Sequence, residues 1–447
     1  MTAGCVTMAG CAMTAGCAET IARLQNGAYH QELARLYPRR PLPECCARYI
    51  RAIESFVELF GERQIILMTA PGRVEIGGNH TDHQSGRVLA AAIDLDVLCV
   101  ASPTDDSVAR VHSFGHEPDV ADLRVLTPLA EEQGHSTALV RGIAAWFRDR
   151  GHPVGGFCAY TTSDLPSGSG LSSSAAFEVA IGGLFRALYG AQLRDLDLAL
   201  AGQFAENTYY GKPCGLMDQT ASALGGLLQI DFADPDAPEA KKIPLQRALH
   251  GYNLCVVRTG GSHDDLTHDY ATITQEMGRV AEFFGKTVLR EVDSRAFFAQ
   301  IPALRRLLGD RPVLRAMHFF ADDALVPRQA DALAREDTEA FLSSIVQSGL
   351  SSFTYLQNVF SPAAPQAQSL SLALALSQML LAGQGAWRVH GGGFAGSILA
   401  IVPESLYSTY RARMDEVFGP DACLSVSIRQ PGVCAPFGEL NHNGQTG

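Results

Sequence analysis

The amino-acid sequence predicts an α+β protein whose two mixed domains enclose a cleft, and three observations point there. Strand-like apolar runs and amphipathic helical runs mix in both halves of the chain. A turn-rich stretch, Ala233-Asp234-Pro235-Asp236-Ala237-Pro238, separates the halves, and a glycine-serine loop lies between a strand and a helix in the first half. At 447 residues the chain is long enough for two or three well-buried cores. The predicted division is an N-terminal extension over 1–40, partly disordered at 1–17, an N-terminal domain over 41–235 and a C-terminal domain over 236–447.

The elements follow in order. Glu44 to Phe60 carries apolar residues at three- and four-residue steps and ends at Gly61, which predicts a helix. Gln64 to Ala70 reads as a strand broken at Pro71-Gly72, and Arg87 to Val100 and Phe157 to Thr162 read as further strands. A helix from Ser172 to Tyr189 places Ala175, Ala176, Val179, Ala180, Leu184 and Leu188 on one face and stops at Gly190. A second helix runs from about Leu196 to Tyr210, and Leu227 to Phe232 returns to strand. The second half opens with a strand at Leu254 to Arg258 and continues through helical patterns to Gly383. It closes with strands at Trp387 to His390 and Ser397 to Val402, a helix from Pro403 to Phe418 and a strand at Cys423 to Ile428.

Composition narrows the function. With 47% hydrophobic and 18% charged residues the chain reads as soluble and globular. Its net charge of -12 argues against a general affinity for nucleic acid but not against ATP, which a local loop and a metal can hold. The longest apolar run, Leu370 to Leu381, falls short of the ~20 residues of a membrane helix and reads as a buried helix. No basic region leads into an apolar core near residue 1, so the expected address is the cytoplasm. The eleven cysteines show no CxxC spacing and read as free thiols.

Two segments concentrate chemistry. Leu165-Pro166-Ser167-Gly168-Ser169-Gly170-Leu171-Ser172-Ser173-Ser174-Ala175-Ala176 runs straight into a helix. Its glycines let backbone N–H groups approach an anion, the helix N-terminus adds partial positive charge, and the serine hydroxyls can reach phosphate or magnesium. No Lys follows the last glycine, so it is not a Walker A loop; a serine-capped helix start is the plain alternative. Pro71 to His83 gathers an arginine, two carboxylates, two imidazoles and an amide within thirteen residues. That set suits a polyhydroxylated ligand, whose hydroxyls need donors and acceptors. A solvated loop and a metal site on His80, Asp82 and His83 are the competing readings.

Together these segments resemble the signature motifs of the galacto-, homoserine, mevalonate and phosphomevalonate kinases, and among them the galactokinases. GRVEIGGNHTDH is similar to the galactokinase signature and LPSGSGLSSSAA to the phosphate loop. His390-Gly391-Gly392-Gly393-Phe394-Ala395-Gly396 resembles the third, glycine-rich motif, and Pro213-Cys214-Gly215-Leu216-Met217-Asp218-Gln219 the surroundings of the catalytic aspartate. The resemblance runs from about Pro41 to the C-terminus. It implies the two-domain small-molecule kinase fold of that superfamily and an ATP- and magnesium-dependent sugar 1-kinase. Asp218 and Arg73 are implied as catalytic, and Pro166, Gly168, Ser169, Gly170, Leu171, Ser172, Ser173 and Ser174 as the ATP-binding residues. Ser173 and Glu206 are implied as magnesium ligands, and Asn79, His80, Asp82, Gly215 and Tyr270 as sugar contacts. His390 reads equally as a site residue or as a structural histidine.

The match is better in the transfer machinery than in the sugar pocket. The usual pattern has Asn where this chain has Glu75, a bulky aliphatic at Gly77, Glu at Asn79 and Tyr at His83. Ile273 and Thr274 replace arginines, and Ser348-Gly349-Leu350-Ser351-Ser352 stands for a Ser-His-x-Ser-Leu element. Galactose is the expected substrate. Gly77, by opening space near the sugar, keeps a kinase for N-acetylgalactosamine or L-arabinose as an alternative, and a non-catalytic sugar- and ATP-binding regulator is the alternative of another class.

Overall fold

The apolar runs flanking the polar signature pair with each other at the centre of a seven-stranded sheet. The computed structural model describes residues 15–166, 168, 170–212, 214–235, 237–244, 249–260 and 267–437. The first part of the chain comprises α1 (Cys17–Gln25), α2 (His30–Leu36), α3 (Leu42–Phe60), β1 (Ile66–Gly77), β2 (Arg87–Pro103), β3 (Val108–Ser113), β4 (Asp119–Asp122), α4 (Ser136–Asp149) and β5 (Phe157–Ser163). It continues with α5 (Ser173–Tyr189), α6 (Asp195–Ala205), α7 (Met217–Leu224), β6 (Leu227–Asp231) and β7 (Glu239–Lys242). The rest comprises β8 (Tyr252–Arg258), α8 (Thr267–Phe283), α9 (Ser294–Leu308), α10 (Asp310–Ala334), α11 (Thr338–Ser351), α12 (Ser369–Leu381), β9 (Ala386–His390), β10 (Ser397–Pro403), α13 (Glu404–Phe418) and β11 (Cys423–Val426).

The larger sheet has the order β4-β3-β5-β2-β6-β7, with β1 pairing β2, and the smaller the order β11-β8-β10-β9. Both faces of the larger sheet are covered, so alternate residues of one strand enter different cores. Ile66, Met68 and Ala70 of β1 pack with α4 to α7, whereas Leu67 packs with α1 to α3. This is why β1 and β2 read as continuous apolar runs rather than alternating ones. A four-stranded sheet packs on α12 and α13 in the second half, while α8, α9 and α10 build a separate core.

The structure departs from the sequence expectations at several points. β1 continues through Pro71 to Gly77, because register shifts between Pro71 and Arg73 and between Glu75 and Gly77 absorb the proline. The helix expected over 196–210 is α-helical only to Ala205 and then winds as a π-helix over Glu206–Tyr210. α12 is half-buried rather than buried, since Leu372 and Met379 face solvent. β7 pairs with β6 beyond the boundary placed after 235, and Ile428 and Cys434 form bridges back to Ile93 and Thr69 of the first sheet. Within the expected extension, α1 and α2 are folded onto α3; residues 1–14 lie outside the described ones. The described cysteines are all free thiols, and among the described residues no helix is long and apolar enough to cross a membrane.

One buried ionic cluster ties these parts together. Asp96 of β2 accepts from Tyr37 OH at 2.6 Å, Arg48 Nη1 at 2.6 Å, Arg429 Nη1 at 2.7 Å and the Thr69 hydroxyl. Asp96 and Arg429 are both fully buried, so removing Arg429 takes from Asp96 one of its two cations and leaves the Pro431 and Gly432 carbonyls without their donor. Arg429→Leu is expected to lower the unfolding free energy by about 3 kcal/mol in urea denaturation. Arg413→Ala, which breaks only an exposed pair with Glu416, should change it by less than about 0.5 kcal/mol.

Candidate active site

Arg73 leaves β1 just after its first register shift, and this places its side chain under the phosphate loop. Gly72 makes the approach possible: a Cβ there would lie 2.6 Å from the Leu171 carbonyl oxygen. The Arg73 amide donates to that same carbonyl at 3.1 Å, and its guanidinium donates to the Gly170 carbonyl. The remaining edge of the guanidinium meets Asp218 in a two-pronged pair, Nε to Oδ1 at 2.7 Å and Nη2 to Oδ2 at 2.8 Å. Asp218 is the second residue of α7, a helix that the sequence pattern did not reveal.

The Ser172 hydroxyl also donates to Asp218 Oδ2. Ser172 reaches it from a left-handed backbone conformation, φ 60°, immediately before α5. Burial pushes the Asp218 carboxyl up, but the Arg73 charge and the bonds from Arg73 and Ser172 outweigh it and hold the group below its ordinary value. Asp218 is therefore a carboxylate at neutral pH, with a third of its side chain open to the site. Ser173 and Ser174 begin α5 on its exposed side, and Gly170 lies against His390 of the third motif and Ser397 at the start of β10. Ser169 falls outside the described residues.

Glu206 starts the π-helix and is nearly buried, at 4% exposure. Its Oε2 accepts from Gln219 at 3.0 Å, and its Oε1 lies 3.4 Å from Lys212 Nζ. A carboxylate, a serine hydroxyl at a helix start and substrate phosphate oxygens form the hard-oxygen set that magnesium takes, so Glu206 and Ser173 fit that role. Behind them Glu178 of α5 is fully buried. Burial and the Glu206 carboxylate push it well above its ordinary value.

The polar signature forms the adjoining wall. His80 adopts φ 57° and its Nε2 lies 2.8 Å from the Gly392 carbonyl. Burial and the neighbouring His83 push His80 down to about 3, so the ring is neutral, Nε2 carries the proton and Nδ1 is an acceptor. Its ring stacks on Tyr270, whose hydroxyl donates to the Gly393 carbonyl at 3.1 Å. Asp82 sits against Gly215; a Cβ there would lie 2.4 Å from Asp82 Oδ2. The structure thus brings His80, Tyr270 and the third motif together, and Asp82 beside Gly215 of the Asp218 segment.

Asn79 is placed differently. It is fully buried, and its side chain donates to Glu75 at 2.9 Å and to the Gly391 carbonyl at 2.7 Å while accepting from Asn358 at 2.8 Å and Ser352 at 3.2 Å. Its backbone is pinned by Asp322 and His318 of α10. Glu75 pairs with Arg388 of β9 at 2.5 Å, although burial still pushes its carboxyl up to about 7. His390 is structural: Nε2 accepts from the Glu75 amide at 3.2 Å, so Nδ1 donates to Ser397, and burial keeps it neutral. Gly77 does not open space beside a sugar, because Gln329 of α10 fills it; a Cβ at 77 would lie 2.0 Å from Gln329 Oε1.

The metal-site reading of His80, Asp82 and His83 finds no support, since among the described residues no group of three or more His, Cys, Asp or Glu side chains is disposed to hold an ion. Sequence reasoning missed Glu178, His318, Asp322, Gln329 and Arg388. Glu178 did leave a signal, a charge within the apolar run Ala175 to Ile181 of α5, and so did Arg388, a charge inside an apolar strand.

Comparison with known proteins bears on the whole of this arrangement. Residues 138–226 match the family model of the GHMP kinases N terminal domain, and residues 54–103 match the galactokinase galactose-binding signature. The galactokinase of Streptomyces coelicolor is 32% identical over 367 residues, covering 82% of this chain and 92% of that protein. The structure of Lactococcus lactis galactokinase complexed with galactose superposes with a TM-score of 0.74 at 22% identity, covering 86% of this chain and 98% of that one. Methanococcus jannaschii mevalonate kinase gives a TM-score of 0.59 at 15% identity over 81% of this chain and 98% of that one. With the fold, the signature and a relative matched along nearly its full length, this chain belongs to the galactokinase family of the GHMP kinases.

Proposed function

We propose that this chain transfers the γ-phosphoryl group of ATP to the anomeric hydroxyl of galactose, giving galactose 1-phosphate and ADP. The observation that carries the reading is the two-pronged Arg73–Asp218 pair set beside the phosphate loop. In the transfer the sugar O1 forms the new bond to phosphorus, the bond from phosphorus to the ADP oxygen breaks, and the O1 proton passes to Asp218. Arg73 keeps Asp218 ionised and faces the charge that spreads over the transferred group. The N-terminus of α5 and the backbone of 166–174 hold the triphosphate. Ser173 and Glu206 are the residues that would hold magnesium, which would supply charge neutralisation at the phosphates. His80, through Nδ1, and Asp82 receive sugar hydroxyls, with Gly215 and Tyr270 completing the wall and Asn79 bracing it from behind. The domain division at 235/236 is proposed in amended form, with β7 (Glu239–Lys242) in the first sheet and Ile428 and Cys434 bridging back to it.

A regulator that binds sugar and ATP without transfer would have no use for an ionised carboxylate clamped to an arginine, so the pair favours the enzyme. The case for another sugar is weakened by Gln329, which occupies the space that Gly77 leaves. Assaying the purified chain with ATP and a panel of monosaccharides tests the substrate: galactose should be turned over fastest, and strong turnover of N-acetylgalactosamine or L-arabinose with none of galactose would overturn it.

Asp218→Asn should lower kcat by about two to four orders of magnitude with little change in ATP affinity, read by steady-state kinetics and a nucleotide-binding titration. Gly215→Ala drives a methyl group into Asp82 and is expected to raise KM for galactose about tenfold or more while leaving KM for ATP near its parent value.

A further inference from the structure

The carboxylate assigned to the metal is itself held in place. Gln219 Nε2 lies 3.0 Å from Glu206 Oε2 and 3.0 Å from Glu178 Oε2. A carboxamide nitrogen has two protons to donate, and here both carboxyl groups lie within their reach, with Cys214 Sγ a more distant third acceptor at 3.6 Å. The three side chains are buried together, Glu178 at 0%, Gln219 at 1% and Glu206 at 4% exposure. With Oε2 of Glu206 committed to Gln219, Oε1 is the oxygen left to turn toward a cation, and Lys212 Nζ already stands 3.4 Å from it.

This cluster is expensive to build for packing alone. Glu178 projects from α5 toward Gly202 of α6 and Gln219 of α7, a fully buried position where an aliphatic residue would leave no polar atom unmet. Two of its atoms, Glu178 Oε1 and Gln219 Oε1, have no hydrogen-bond partner, each at a cost of about 1–3 kcal/mol. The neighbouring helix makes room for it: a Cβ on Gly202 of α6 would sit 3.1 Å from Glu178 and 3.3 Å from Gln219 Cγ. Gln219 also follows Asp218 directly, so one turn of α7 carries both the transfer carboxylate and the group that orients the metal carboxylate.

We propose that Glu178 and Gln219 are positioning residues for the metal, a buried clamp that orients the Glu206 carboxylate toward the magnesium of Mg·ATP. Groups that orient a metal ligand in this way typically contribute 10- to 100-fold, as an order-of-magnitude figure, in metal affinity. The inference rests on the reading of Glu206 as a ligand.

Direct titration of the full chain with Mn2+ as the magnesium probe, followed by electron paramagnetic resonance in the presence of an unreactive ATP analogue, tests it independently of turnover. Gln219→Leu and Glu178→Leu should weaken Mn2+ binding by about 10- to 100-fold while leaving galactose affinity near its parent value. Glu178→Gln, which keeps an oxygen for Gln219 to bond, should restore Mn2+ binding. If Gln219→Leu is folded by circular dichroism, melts at a lower temperature and still binds Mn2+ like the parent, the clamp is merely structural and the proposal fails. If Glu206→Gln leaves Mn2+ binding intact, it is the assignment of Glu206 that fails, and the two outcomes are read in separate variants.

Discussion

The pairing of Arg73 with Asp218 is the constraint around which the first half of the chain is built. Arg73 is buried, and a guanidinium out of water is tolerated only when its donors are met. Two meet the Asp218 carboxylate and a third the Gly170 carbonyl, so β1, the phosphate loop and α7 must converge on one point. Each of the three elements carries a local concession to that end. β1 shifts register beside Pro71, residue 72 has no side chain, and Ser172 takes up a left-handed conformation before α5.

A second buried network does for the polar signature what the ion pair does for the transfer groups. His80, His318 and His390 are all held neutral by burial, so each offers one donor and one acceptor of defined position. They bond the Gly392 carbonyl, the Asn79 carbonyl and the Glu75 amide, and thereby staple the loop after β1 to α10 and β9. Within this network the departures from the family pattern compensate each other. A carboxylate at 75 instead of an amide requires a cation, which Arg388 supplies. An amide at 79 instead of a carboxylate can donate to Glu75 and still accept from Asn358 and Ser352. The space released at Gly77 is consumed by Gln329. In this chain, then, positions 75, 77 and 79 are bonded or filled rather than open.

What could be read from the sequence is what depends on near neighbours. The helix ending at Gly61, the strands at 87–103 and 397–403 and the loop entering α5 all announce themselves through periodicity or turn residues. The proline at 71 misleads for the same reason, because its effect on β1 is cancelled by β2, a partner strand that no local window includes. α7 was missed because its eight residues are too few to show a period. Apart from each other, the partners of Glu75 and Asn79 lie about 240 to 315 positions away, and only the mismatch of a charge in an apolar run, as at Arg388, hinted that such partners exist.

The protonation state of Asp218 bears on the role proposed for it in the transfer. A carboxylate stabilised by Arg73 and Ser172 is a weak base, poorly suited to removing a proton from a sugar hydroxyl before the new bond forms. In a loose transition state the hydroxyl needs no such early activation, because bond breaking to ADP runs ahead of bond making to the sugar. The proton becomes acidic only as O1 gains its bond to phosphorus, and an acceptor of low basicity is then sufficient. In the proposed transfer, what Asp218 would contribute before that moment is direction: Arg73 locks its carboxylate in place, so that it would present a fixed oxygen to the O1 proton. The arginine that lowers its basicity is the same group that fixes its position, so strength as a base is exchanged for geometry and for a positive charge beside the transferred phosphate.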